Sequence, residues 1–200
     1  QDKVRLLIDP TSSYAQAAAY AMGRAMDDVI IAAATGTAYT GETGTGTESA
    51  QTAIAASVGS TTGLNIPKLA KAKETFDLSD VDPSIARHII VSPEQINNLL
   101  NVTEVTSSDF NTVKALVQGE IDTFLGFKFT VSNRLAKSGN DRTCIAFAQD
   151  GITLGVGKDV SARIDERADK SYATQVYYCM SIGATRMEQA KVIGITCTEA

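Results

Sequence analysis

Two hundred residues can bury a substantial core in one domain or two, and 44% hydrophobic with 20% charged residues is the make-up of a folded chain. A formal net charge of −5 argues against a surface built to grip phosphates, because affinity for nucleic acid comes chiefly from Lys and Arg. It does not exclude a protein that encloses DNA without holding it. The longest strongly apolar run, Val29 to Ala34, is far too short to span a bilayer.

The chain starts at Gln1 and not at Met, with no signal peptide in view, so residues upstream are expected to be missing or removed. Val4 to Ile8 reads as a short strand. Asp9-Pro10 and the Ser-x-x-Gln box of Ser13 to Gln16 both offer helix starts. Behind them, Tyr14, Ala18, Ala21, Ala25, Val29 and Ala32 recur three or four apart, which predicts a long helix over 13–35. Its many alanines favour helix and keep it thin. From Thr35 to Gly63 the Gly, Thr, Ser and Ala content predicts a mobile loop or loose hairpin, with a strand near Ala50 to Val58.

Asn65 is placed to cap a helix carrying Ile66, Leu69, Ala70 and Phe76. An acidic connector, Asp77 to Ser84, follows; Pro83 biases Asp82 away from helix. His88 to Val91 is a β-branched run of the kind found in buried strands. Ser92-Pro93-Glu94-Gln95 opens a helix: Ser92 as N-cap, Pro93 in the first position, Gln95 as the far half of a capping box. Ile96, Leu99 and Leu100 form its apolar face. A second helix is predicted from Ser108 to Gly119, with Phe110, Val113, Leu116 and Val117 at helical spacing. Gly126 to Val131 alternates with period two, which puts Phe127, Phe129 and Val131 toward a core and Lys128, Thr130 and Ser132 away.

From Thr143 the chain turns to strands: Cys144 to Ala148, Ile152 to Val156, Val160 to Ile164, Tyr172 to Gly183 and Lys191 to Cys197. Gly151, Gly155 and Gly157 read as turns between them. Helix first, mixed elements next and strands last makes an α+β fold and not a βαβ repeat. The three cysteines, Cys144, Cys179 and Cys197, are odd in number and widely spaced among strand residues, which favours buried free thiols over a disulfide.

The Val91-Ser92-Pro93-Glu94-Gln95 helix start, then "DFN…LVQGEID" running into "FLGFKFTVSNRL", resembles the major capsid proteins of tailed bacteriophages. The likeness extends to the long helix near Tyr14 to Ala34 and to the tail from Phe147 to Ala200. The resemblance implies a peripheral domain, residues 1–62 with strands from 160–186, built on a spine helix and long β-strands. It also implies an axial domain, a mixed sheet flanked by helices, over 63–159, to which a terminal strand in 187–200 returns. Such subunits form hexamers and pentamers in an icosahedral shell around double-stranded DNA, without sequence-specific binding and with no membrane. They work with scaffolding and portal proteins, assemble in the host cytoplasm and end in the virion. Family members usually carry an N-terminal arm and an extended loop before the spine helix, whereas this chain begins almost at that helix. An encapsulin-like compartment shell, a tail or baseplate component and a hydrolase are the other readings.

The residues offer no catalytic, cofactor or metal site. Gly41 to Thr47 lacks the Lys of a phosphate loop after Gly46, and Ser49 stands where a dinucleotide fingerprint needs its third glycine. With Asp80 opening a calcium loop, Ile85 and Val91 would take the glycine and glutamate positions. His88 is the single histidine, and no Gly-x-Ser-x-Gly elbow presents a serine. The charged run Asp165 to Lys170 reads as a solvated turn or an intersubunit ion-pair patch.

Overall fold

The computed structural model describes residues 10–48, 52–59, 63–101 and 123–199. The strand expected over Val4 to Ile8 and the helix expected over Ser108 to Gly119 lie outside them. The chain divides into two compact units, one within Gln1–Ile30 and Leu154–Ala184, the other within Ile31–Thr153 and Thr185–Ala200.

The second unit is organised on a mixed sheet that holds seven strands among the described residues. Its path runs β3 (Thr52–Ile54), β11 (Val192–Thr198), β8 (Asp141–Ala148), β4 (Arg87–Val91), β6 (Phe127–Val131) and β5 (Thr123–Phe124), with β7 (Lys137–Ser138) also on β8. β3 on β11 and β4 on β6 are parallel, and the other pairs are antiparallel. The central strands are apolar on both faces: Cys144, Ile145 and Ala146 are buried in succession, as are Val192 through Ile195. Continuous burial of that kind needs cover on each side. Helices α2 (Ile66–Leu78) and α3 (Pro93–Leu100) contribute Leu69, Ala72, Phe76 and Leu99 to the same core. The Phe76 and Phe127 rings meet at 6.1 Å between centroids, tilted by 44°. Each such side chain stabilises the fold by about 1.5–3 kcal/mol through burial alone.

Both helix starts follow their local chemistry. Asn65 has extended backbone and its side chain accepts from Lys68 N at 2.9 Å, while Pro67 occupies the first turn. Of the residues expected along this helix Ala70 is exposed, and the inward face is Lys68, Leu69, Ala72 and Phe76. Ser92 accepts from Gln95 N at 3.4 Å, and Glu94 lies in the first turn, where the helix dipole favours it. The capping box is not closed: the Gln95 side chain is buried and serves two other partners, Leu64 N and Glu199.

Phe127 and Phe129 face the core as period two requires, but Val131 is 53% exposed. Among the described residues β5 pairs with Phe127 and Lys128 alone, and no strand lies along the far end of β6 on that side. The Gly/Thr-rich segment is a hairpin, β1 (Ala38–Thr40) with β2 (Gly46–Glu48), turned through Gly41 and Gly44 at φ 85° and 66°. Positive φ is free only for glycine, which explains the composition of the turn. Beyond it, the strand expected near Ala50 to Val58 is β3, which places Ile54 in the core.

The first unit consists of helix α1 (Pro10–Thr35) as far as Ile30 and a two-stranded ribbon of β9 (Ile152–Arg167) and β10 (Ala173–Arg186) as far as Ala184. The helix begins at Pro10, three residues before the expected start, because Pro fits the first helical position. Its less exposed stripe is Ala15, Ala18, Met22, Ala25, Met26 and Val29; Ala21 and Ala32 are exposed. The two strands expected at 152–156 and 160–164 are one, because Gly155 and Gly157 are not turns. Neither has positive φ, and both lie flat in β9 against the backbone of Gly183 and Ser181. Gly151 does turn: a Cβ there would come within 2.8 Å of the Lys191 carbonyl.

Candidate assembly surface

In the first unit none of the described residues is buried. Tyr20 on the helix and Leu154, Val156, Val160, Ile164 and Tyr177 on the ribbon expose large apolar surfaces. Period-two alternation in β9 puts Val160 and Ile164 on one face, and among the described residues no second layer in this unit buries them. A two-stranded ribbon is marginal in water by itself. Apolar side chains left exposed along one face of such a ribbon make that face the candidate interaction surface.

The mixed-charge run Asp165 to Lys170 forms the ribbon tip. Residues 168–170 are a short 3-10 turn, and Ser171 and Tyr172 follow at φ 53° and 58°. Two successive left-handed residues give the turn a twist matching that of the strands. Arg167 pairs with Asp169 in the open, holding that carboxyl below the usual range. An exposed pair of this kind contributes little to folding.

The second unit carries polar groups the sequence reading did not single out. Glu199 is 2% exposed and receives Ser92 Oγ at 2.9 Å and Gln95 Nε2 at 3.4 Å. Lys137 Nζ and Arg142 Nε stand at 2.9 and 2.6 Å from its carboxylate. Burial pushes its pKa up, but the donors from Lys137, Arg142, Ser92 and Gln95 outweigh that and bring it down to about 2. Glu199 N also donates to Asn140 O at 2.7 Å, so the end of β11 is tied to the start of α3 and to the β7–β8 turn. Arg186, buried, donates to Ala34 O at 3.1 Å and Gly36 O at 2.9 Å. Carbonyls at a helix C-terminus lack intrahelical partners, and a cation there also answers the dipole. Arg87 reaches Asp77 at 2.7 Å and lies 5.2 Å over the Phe76 ring. No local pattern announces any of these three, since their partners lie on other elements.

The candidate residues of the sequence have structural surroundings. His88 is half-buried in β4, stacked on Phe147 at 5.5 Å. Asp82 accepts from Ser84 N at 2.8 Å, an Asx turn at the connector. Cys144 and Cys197 are buried free thiols, as expected, but Cys179 is only partly buried. The Cys144 thiol is pushed well up by its hydrogen bond to Cys197 and by burial. Lys68, held by the Gly63 carbonyl at 2.7 Å, is lowered by burial. Among the described residues no three of His, Cys, Asp and Glu gather as a metal site, and no helix is long and apolar enough to cross a membrane.

The architecture matches solved capsids. A structure of Mycobacterium phage Che8 superposes with a TM-score of 0.70 at 18% identity, over 98% of this chain and 66% of that one. The capsid of cyanophage P-SCSP1u gives 0.71 at 16%, over 100% and 69%. The capsid of Helicobacter pylori bacteriophage KHP30 gives 0.65 at 13%, over 96% and 70%. This chain thus spans roughly two thirds of the length of these relatives. The fold is therefore that of tailed-phage capsid proteins. No curated protein matches the sequence. Residues 1–199 match the phage capsid protein family, and the chain belongs to it.

Proposed function

We propose that this chain is a structural subunit of an icosahedral phage head, self-assembling into hexamers and pentamers that enclose double-stranded DNA. The observation that carries this is the first unit, whose described residues are all unburied while it displays apolar side chains on both helix and ribbon. Membership of the phage capsid family supplies the kind of neighbour that would cover them, namely further copies. Head-to-tail contacts close rings, and rings joined through other contacts make a shell. In this reading the helix-and-ribbon unit is the peripheral domain and the sheet unit, with β11 returning to it, the axial domain. The chain has no enzymatic role. Its net charge of −5 suits a wall that repels the genome, so that DNA packs and leaves without sticking. Scaffolding and portal proteins are the further partners, and assembly takes place in the host cytoplasm before the subunit reaches the virion.

The test is electron microscopy and sedimentation of the full-length protein, with and without its scaffold. Closed shells are expected, with weak and strongly salt-dependent affinity for free duplex DNA. Protein that remains monomeric across concentration and ionic strength would sink the proposal. Particles filled with a protein cargo and no DNA would replace it with a compartment shell.

A further inference from the structure

On the ribbon, two reactive groups from different strands touch. Lys158 Nζ on β9 lies 3.0 Å from Cys179 Sγ on β10, and Ser161 Oγ lies 2.9 Å from the same sulfur. We propose that Lys158 and Cys179 are a site of oxidative cross-linking, at which a peroxide installs a covalent N–S bond between the two strands.

Three features of the place support this. The contact is between the two atoms that would bond, so the link requires only the short approach from hydrogen-bond to covalent distance. A hollow of about 540 Å³, lined by Lys158, Ser161, Arg163, Asp165, Gln175 and Tyr177, opens beside Lys158 and Ser161, the two residues that touch the Cys179 sulfur, and is roomy enough for a small oxidant. Cys144 and Cys197, by contrast, are sealed in the sheet core. The Lys158 contact, then that of Ser161, brings the Cys179 thiol down to about 7, so much of it is thiolate near neutrality. The thiolate is the form that attacks peroxide, and exposed thiolates are the ones oxidised first.

The chemistry closes on itself. The Cys179 thiolate attacks one oxygen of hydrogen peroxide, the O–O bond breaks, and the departing hydroxide takes a proton from the Lys158 ammonium, which leaves a sulfenic acid, a neutral amine and water. The thiolate that held Lys158 as an ammonium is then gone; its bond to Cys179 is the main reason the lysine is raised. The neutral amine attacks sulfur, the S–O bond breaks, and the hydroxyl departs as water with a proton from nitrogen. Thiol, amine and one peroxide become a sulfenamide and two waters, so the linked protein is lighter by two hydrogens. A dithiol reverses it, returning thiol and amine and taking the oxidation as its own disulfide. The bond closes a loop of 21 positions across the ribbon, where no buried core opposes fraying.

The experiment treats the native full-length protein with hydrogen peroxide and maps peptides by tandem mass spectrometry. The expected result is a peptide pair joined through Lys158 and Cys179, two hydrogens lighter, accounting for most of Cys179 and released by dithiothreitol. Lys158→Arg should lose the link and carry Cys179 onward to sulfinic and sulfonic acid. Cys179→Ser should show neither. If wild-type protein shows only oxygen added at Cys179, or a disulfide from Cys179, the proposal is overturned. The same holds if Lys158→Arg is oxidised to the same products as wild type.

Discussion

Glu199→Gln is the substitution that tests the buried ionic knot most sharply. The amide keeps the shape of the side chain and its oxygen can still accept from Ser92 and Gln95, so the change removes the charge and the one oxygen that Lys137 meets. Arg142, 13% exposed, then faces a neutral partner, while Lys137 at 39% can turn to water. Breaking a buried pair costs about 3–5 kcal/mol, and the half-open lysine screens part of that, leaving roughly 2–3 kcal/mol. The titration leads to a similar figure. Moving a carboxyl from 4.5 to about 2 corresponds to roughly 3 kcal/mol of linkage. Because the folded pKa is depressed, that stability is present above about pH 4.5 and lost as pH falls through about 2. Urea unfolding of the unassembled subunit at pH 7, 4.5, 3 and 2 measures it, with wild type and variant compared at each pH. The gap should be full at the two higher values and shrink below about 1 kcal/mol at pH 2. A gap under about 0.5 kcal/mol at pH 7, or one that does not change with pH, would refute the reasoning.

Four more substitutions follow from the packing. Phe129→Ala should destabilise by about 3–5 kcal/mol by thermal or urea unfolding, whereas Val131→Ala, on the same face but exposed, should cost less than about 1 kcal/mol. Asn65→Ala removes the cap of α2 and the donor to Val58 O, and should cost about 1–2 kcal/mol in the same assay. Arg186→Met leaves the Ala34 and Gly36 carbonyls unanswered; about 2–3 kcal/mol of stability should go, with faster amide exchange at the last turn of α1.

The sequence already contains the family resemblance, the α+β class, the positions of α1, α2, α3, β4, β6, β8 and β11, and the caps at Asn65 and Ser92. These are legible because period, capping chemistry and apolar runs act over a few residues, the range at which sequence neighbours meet. What reaches further was not legible. Gln95 fits a capping box by spacing, yet its amide is spent on Leu64 and Glu199, partners 31 and 104 positions away. Val131 obeys the alternation of its strand and is still exposed, because cover comes from neighbouring strands and not from the strand itself. Gly155 and Gly157 look like turns, but both lie within one long strand, which tolerates an extended glycine at a cost in stiffness. Glu199, Arg186 and Arg87 became legible only when elements far apart in the chain were brought together. Local sequence decides which segments become helices and strands; the tertiary structure decides which charges are buried and which apolar faces are left for a neighbour, since burial belongs to the packed whole.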